Sequence, residues 1–172
     1  AFNWQLECFP KPSAALINGF CAGSGNGLTQ YATHRVGGPN YQFAMPETAI
    51  GLFPDVGVSY RLSRLPDEVG TYLALTGNTI ERADAYRLGL LTHISSDLAF
   101  NQIIDGLCDA DPIDPLMDEA HAVAIASVDL ETPLSRIQSI VAEVFAGDDL
   151  LAMIRRLERI ASGPTADQAE WA

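Results

Sequence analysis

Residues 13–33 read SAALINGFCAGSGNGLTQYAT, and the order of residue types here frames the rest of the chain. Ser13 to Asn18 is a short apolar run behind Lys11-Pro12, which predicts a buried strand. Gly19 to Gly27 follows with four glycines among small polar residues, a turn. Leu28 to Thr33 then reads as the body of a helix. In a strand, glycine-rich turn and helix, the amides of Gly23-Ser24-Gly25-Asn26-Gly27 point outward at the positive end of the helix dipole. Such amides can hold a phosphate or stabilise an oxyanion during acyl chemistry. The turn matches neither the phosphate-loop pattern nor a dinucleotide fingerprint, because no Lys follows and no acidic ribose ligand stands about 20 residues on. The plain alternative is a tight turn that lets a helix pack close to a strand.

A second segment, residues 45–57, reads MPETAIGLFPDVG. Two carboxylates, Glu47 and Asp55, sit eight residues apart among apolar residues, each next to a proline. Ionised carboxylates are rarely buried without a partner or a task. The prolines and two glycines predict a rigid, irregular turn able to point both acids at one substrate. A carboxylate in an apolar pocket has its pKa raised by desolvation, which suits general acid–base work. The alternative is that Glu47 caps a helix and Asp55 closes a turn.

Composition narrows the classes of function. At 172 residues, 48 % hydrophobic and 19 % charged, the chain can bury a core and is not of disordered type. No apolar run reaches the roughly 18 to 20 residues of a bilayer span, and no signal peptide is legible. The chain lacks an initiator Met and starts in mid-pattern, so it reads as a piece of a longer protein. The net charge of −12 argues against nucleic acid or an anionic membrane surface as a partner. Most of that charge, −10, falls on residues 101–172. Cys8, Cys21 and Cys108 are odd in number and lack C-x-x-C spacing, which argues against a disulfide framework and a metal site and for a reducing interior. Cys21 reads as a small packed hydrophobe. His34, His93 and His121 are isolated in sequence and read as structural or exposed. Ser24 lacks the G-x-S-x-G spacing of a hydrolase nucleophile.

Arg35 to Val36 and Tyr41 to Ala44 predict two short strands joined across Gly37-Gly38-Pro39-Asn40. Short helices are expected over 59–65, 69–75 and 81–88, the last with Thr79 as N-cap and Gly89 as C-cap. Leu91 to Ile94 predicts a short strand. Helices are then expected over 98–109, 115–127, 133–146 and 148–161, the last two amphipathic. A mild boundary near residue 95 separates a strand-containing part, 1–95, from an acidic helical region, 96–172.

The strings Asn18-Gly19-Phe20, Gly23-Ser24-Gly25-Asn26-Gly27-Leu28, Phe43-Ala44-Met45-Pro46-Glu47-Thr48 and Ile50 to Gly57 resemble the crotonase (enoyl-CoA hydratase/isomerase) superfamily. Within it they resemble the 3-hydroxyisobutyryl-CoA hydrolase branch. The resemblance is strong from about residue 11 to 95 and weaker beyond. It implies an α/β spiral of β-β-α units followed by a helical C-terminal region. It also implies an acyl-CoA substrate and an oxyanion hole of two backbone amides. One amide would be that of Ser24, and the other would come from upstream of residue 1. Gly23, Gly25, Gly27 and Phe53 would line the substrate. Hydratases of the superfamily carry a catalytic Glu at the position of Gly27 and a second at Glu47. With Gly at 27, the resemblance points away from two-glutamate hydration and toward hydrolysis. Glu47 would then be nucleophile or general base, and Asp55 would orient water or shuttle the proton.

The resulting expectation is hydrolysis of a short branched β-hydroxyacyl-CoA, as in valine breakdown, with no cofactor beyond the coenzyme A of the substrate. Alternatives are double-bond isomerisation on Glu47 alone and a non-catalytic acyl-CoA-binding module. No nucleic-acid or membrane partner is expected, while the C-terminal helices could mediate self-association. The expected compartment is the cytoplasm, or the mitochondrial matrix in a eukaryote.

Overall fold

The computed structural model describes residues 2–162. The chain opens on helix α1 (Phe2–Glu7) and then winds through strands β1 (Ala14–Ile17) and β2 (Phe20–Ala22) into helix α2 (Ser24–Thr29). A second winding repeats the pattern with β3 (His34–Gly37) and β4 (Gln42–Ala44), followed by a 3₁₀ turn over Pro46–Ile50 and helices α3 (Val58–Leu62) and α4 (Val69–Thr76). The third winding is β5 (Ile80–Glu81), α5 (Arg82–Arg87) and β6 (His93–Ile94). Helices α6 (Asp97–Cys108), α7 (Ile113–Ile125), α8 (Pro133–Val144) and α9 (Leu150–Ala161) complete the described chain.

Successive windings stack by strand pairing. The first sheet has the order β1-β3-β6 and is parallel throughout, with Ala14 opposite His34 and Val36 opposite His93. The second sheet has the order β2-β4-β5, with β2 parallel and β5 antiparallel to β4. The result is the α/β spiral of β-β-α units that the resemblance implies, followed by the helical region. The two strands expected at 35–36 and 41–44 are present as β3 and β4, which are consecutive in the chain and lie in different sheets. Strand β2 and helix α1 were not legible. β2 is only three residues long and follows a glycine, too short for a period to show.

Two apolar clusters hold the molecule together. One joins Phe43, Met45, Val58, Leu73 and Ile94 to Leu134, Val141, Phe145 and Met153 of the late helices. The other joins Val36 to Ile103 and Met117. Both draw on residues from either side of position 95, so that division is one of composition and charge rather than of packing. Tyr72 meets Phe145 edge-on with ring centroids 5.5 Å apart, a favourable aromatic geometry.

Helix ends follow local chemistry. Thr132 caps α8 in a full capping box with Ser135, and Pro133 occupies the first turn. Asp149 caps α9 through Leu151 and Ala152. Thr79 does not cap α5: Glu81 holds that position in an extended conformation and makes no side-chain cap bond. The pair Ile80–Glu81 is instead drawn into strand β5 against β4, which moves the N-cap position from 79 to 81 and the helix start from 81 to 82.

Candidate active site

The geometry starts from the pairing of β2 with β4. Ala22 stands opposite Ala44, so the residues that follow each strand leave the sheet side by side. After Ala22 comes Gly23, with φ +50° and ψ −118°, a conformation that glycine adopts far more readily than other residues. After Ala44 comes Met45 and then the 3₁₀ turn that carries Glu47. The two segments meet. A Cβ built on Gly23 would lie 3.0 Å from Glu47 Oε1.

Buried Asn26 fixes this junction. Its Nδ2 donates to Cys21 O at 3.0 Å and to Ala44 O at 2.9 Å, tying the first turn of α2 to both strands. The Gly23 amide donates to Ala44 O, and Gly27 N closes onto Gly23 O. The Ser24 amide, first in the helix, has no intrahelical acceptor, and Ser24 is exposed. Asn26 was legible only as part of a glycine-rich motif. Its supporting role depends on two carbonyls brought together by tertiary structure.

Glu47 is half-buried, and its Oε2 is shielded from solvent without a hydrogen-bond partner among the described residues. An unpartnered buried carboxylate oxygen is costly, and such groups call for a functional explanation. Pro46 starts the 3₁₀ turn, Gly51 ends it in the left-handed conformation, and Leu52 N donates to Glu47 O at 3.0 Å. Gly77, at the end of α4, packs over Pro46: a Cβ there would lie 3.2 Å from Pro46 Cα. The carboxylate therefore stands on a turn braced from behind.

Asp55 lies on the same loop. Val56, its neighbour, packs against Gly27, one helical turn beyond Gly23, so the loop runs along the start of α2. Asp55 itself is exposed, so the apolar pocket expected around it is not its environment. Val58 N donates to Asp55 O at 2.9 Å, and Ser59 Oγ donates to Pro54 O. Phe53 is 73 % exposed, beside exposed Leu52 and Ile50. The loop thus presents an apolar face next to its carboxylates.

Of the glycines expected to line substrate, Gly23 touches Glu47 and Gly25 stands near Cys21 Sγ. Gly27 requires correction. It is buried, and a Cβ there would come 2.5 Å from Val56 Cγ2, so it serves the close approach of α2 to the acidic loop. Cys21 is buried, and burial pushes its thiol up from the ordinary range, as fits a packed residue. A cavity of about 650 Å³ lies behind the acidic loop, lined by Trp4, Gln30, Tyr31, Gly57, Arg61 and Leu90. Neither Ser24, Glu47 nor Asp55 lines it.

The three histidines are not isolated. His93 stands between His34 and His121, with ring centroids 5.5 Å from each. His34 Nε2 is 3.1 Å from Asp114, and His93 Nε2 is 3.4 Å from Asp118, both on α7. The row packs α7 on the first sheet and is not part of the Glu47 site. Spacing gave no hint of it, since the three rings come from β3, β6 and α7.

A glycine turn at the start of α2 thus stands against a carboxylate on a rigid turn within a β-β-α spiral. The family model of enoyl-CoA hydratase/isomerase matches residues 1–172, and the chain belongs to that family. It is 36 % identical over 160 residues to the mitochondrial 3-hydroxyisobutyryl-CoA hydrolase of Xenopus tropicalis, covering 90 % of this chain and 42 % of that protein. It is 34 % identical over 166 residues to the small ribosomal subunit protein mS47 of Schizosaccharomyces pombe, covering 94 % of this chain and 38 % of that protein. Among solved structures it resembles a carnitinyl-CoA dehydratase from Mycobacterium thermoresistibile, with a TM-score of 0.83 and 29 % identity. That match covers 98 % of this chain and 48 % of the other. The chain spans less than half the length of these curated relatives. Among the described residues, no helix is long and apolar enough to cross a membrane.

Proposed function

We propose that the protein of which this chain is part hydrolyses a short branched β-hydroxyacyl-CoA thioester, of the 3-hydroxyisobutyryl-CoA type, to the free acid and coenzyme A. The observation that carries this reading is the Glu47 carboxylate, with Oε2 buried and without a hydrogen-bond partner among the described residues, and Oε1 against Gly23. Gly23 Cα is two covalent bonds from the Ser24 amide nitrogen. A thioester oxygen on that amide would bring the carbonyl carbon within reach of Glu47.

In this mechanism Glu47 adds to the carbonyl carbon, and the tetrahedral oxyanion takes a hydrogen bond from Ser24 N–H. A second amide, from upstream of residue 1, would complete the oxyanion hole. Each such donor supplies roughly 3 to 4 kcal/mol of transition-state stabilisation. The C–S bond breaks, and the coenzyme A thiolate leaves and is protonated from solvent. Water then attacks the acyl carbon of the acyl–Glu47 anhydride and gives a proton to Asp55; the adduct collapses to the free acid and the Glu47 carboxylate, and Asp55 returns its proton to solvent. Phe53, Leu52 and Ile50 would cover the acyl chain.

Val56 favours hydrolysis over hydration. Its side chain occupies the space into which a residue-27 side chain would project, so a second glutamate has no room there. The decisive experiment is a thiol-release assay on the full-length protein with 3-hydroxyisobutyryl-CoA and a 3-enoyl-CoA. Release of thiol from the first supports the reading. Isomerisation of the second without free coenzyme A would replace it with single-base chemistry on Glu47, and tight binding without turnover would replace it with a binding module. In a eukaryote, the mitochondrial matrix is the proposed setting, and the C-terminal helices are the proposed self-association surface.

A further inference from the structure

We infer that Gln30, together with Asn3, is a positioning residue for Asp55 and holds the acidic loop through the Val56 carbonyl; this rests on the proposed hydrolase reading. Val56 has φ +47°. For a β-branched residue this backbone conformation is a true outlier, and it persists only where the surroundings over-determine it. Three contacts do so. Asn3 Nδ2, from α1, donates to Val56 O at 2.6 Å. Gln30 Nε2, just beyond α2, donates to the same oxygen at 2.9 Å. On the other side, the Val56 side chain is fitted against Gly27.

Gln30 is only 6 % exposed, unusual for a glutamine, and its own backbone is held by Arg61 NH2, which donates to Gln30 O at 2.6 Å. On the far side of Asp55, Ser59 Oγ donates to Pro54 O. The chain is therefore anchored on both sides of Asp55, at the Pro54 carbonyl and at the Val56 carbonyl, while the Asp55 side chain stays exposed. An exposed carboxylate that must meet one water has no packed neighbours to fix it, so its backbone has to be fixed instead. Two amide side chains aimed at one carbonyl of a strained residue supply that constraint. They come from positions 53 and 26 residues away in sequence, which no local turn would require.

The test is a double-mutant cycle in the full-length protein, with 3-hydroxyisobutyryl-CoA as substrate. Gln30→Leu keeps the bulk and removes the donor. The expected result is a fall in kcat of about tenfold to a hundredfold with KM within about twofold, since a displacement near 1 Å can cost that much. In an Asp55→Asn background, the same substitution should change the residual kcat less than about twofold, because the residue it positions is gone. An equal loss in both backgrounds, or no loss in either, overturns the inference while leaving the hydrolase reading intact. If Gln30→Leu fails to fold, Asn3→Ala on α1 is put through the same cycle and judged by the same criterion. Absence of thioester hydrolysis by the unaltered protein would overturn the underlying reading and the inference with it.

Discussion

Gly27 and Val56 are in direct contact across 29 residues of sequence: a Cβ on residue 27 would lie 2.5 Å from Val56 Cγ2 and 2.6 Å from Val56 Cβ. The contact is a close approach of helix α2 to the acidic loop. It leaves Glu47 as the carboxylate that faces the glycine turn.

Gly27→Ala is expected to destabilise the protein by about 1–3 kcal/mol, the range for forcing a methyl into a packed site. Val56→Gly in the same chain removes the Cβ as well as the methyls that obstruct it and should recover a large part of that loss. Urea unfolding of the two single variants and the double variant measures the coupling. Additive effects would mean that the two side chains do not compete for one space.

Glu47→Gln in the full-length protein is expected to lower kcat by orders of magnitude and to leave Tm unchanged or raised. The rate falls because the amide neither attacks the carbonyl nor accepts a proton. Stability is kept because the substitution removes a carboxylate whose buried Oε2 has no hydrogen-bond partner among the described residues. Steady-state kinetics and a thermal melt check both halves, and a near-normal rate would remove Glu47 from the mechanism.

Thr132→Ala is expected to cost about 2–3 kcal/mol, more than the roughly 1 kcal/mol of an ordinary cap. Thr132 Oγ1 accepts from Ser135 N at the start of α8 and donates to Asp84 at 2.5 Å. Asp84 is only 4 % exposed, and among the described residues the loss leaves it with Arg87 as its side-chain partner. Thr132→Ser, which keeps the hydroxyl, should recover most of the loss in a denaturant titration.

Stability should fall on mild acidification through His93. Burial is the largest influence on this imidazole and pushes its pKa below 6.5, outweighing the Asp118 hydrogen bond, with His121 and His34 adding to the lowering. The unfolded chain then binds a proton at a higher pH than the folded one does. The His93 contribution is therefore complete above 6.5 and is lost as pH falls from there toward the folded pKa. Thermal melts between about pH 7.5 and 5 should show Tm dropping, and His93→Asn should flatten that part of the profile. An unchanged slope in the variant would assign the drop to other groups.

Much of the architecture was legible residue by residue. The apolar run at 13–18 holds β1 at 14–17, and the four late helices lie within two residues of their expected spans, because caps such as Thr132 and proline at the first turn act locally. The glycine turn and the acidic turn were also visible, since glycine and proline mark backbone breaks wherever they stand. The body of α2 was expected to begin at Leu28, yet it begins at Ser24, inside the glycine run. Helix propensity argues against that start, and the bonds from Asn26 to two strand ends overrule it.

The sequence by itself determined most of the elements, the rigid loop that carries Glu47 and Asp55, and a family resemblance that the family match bears out. Only the tertiary structure decided which of these meet. The register that sets Ala22 against Ala44 delivers Gly23 to Glu47, and the same winding presses Val56 onto Gly27 and gathers three histidines from three elements. Propensities and caps act over a few residues, whereas these contacts join positions 20 to 60 apart. Such pairs come together only when strand pairing and apolar burial have fixed the chain as a whole.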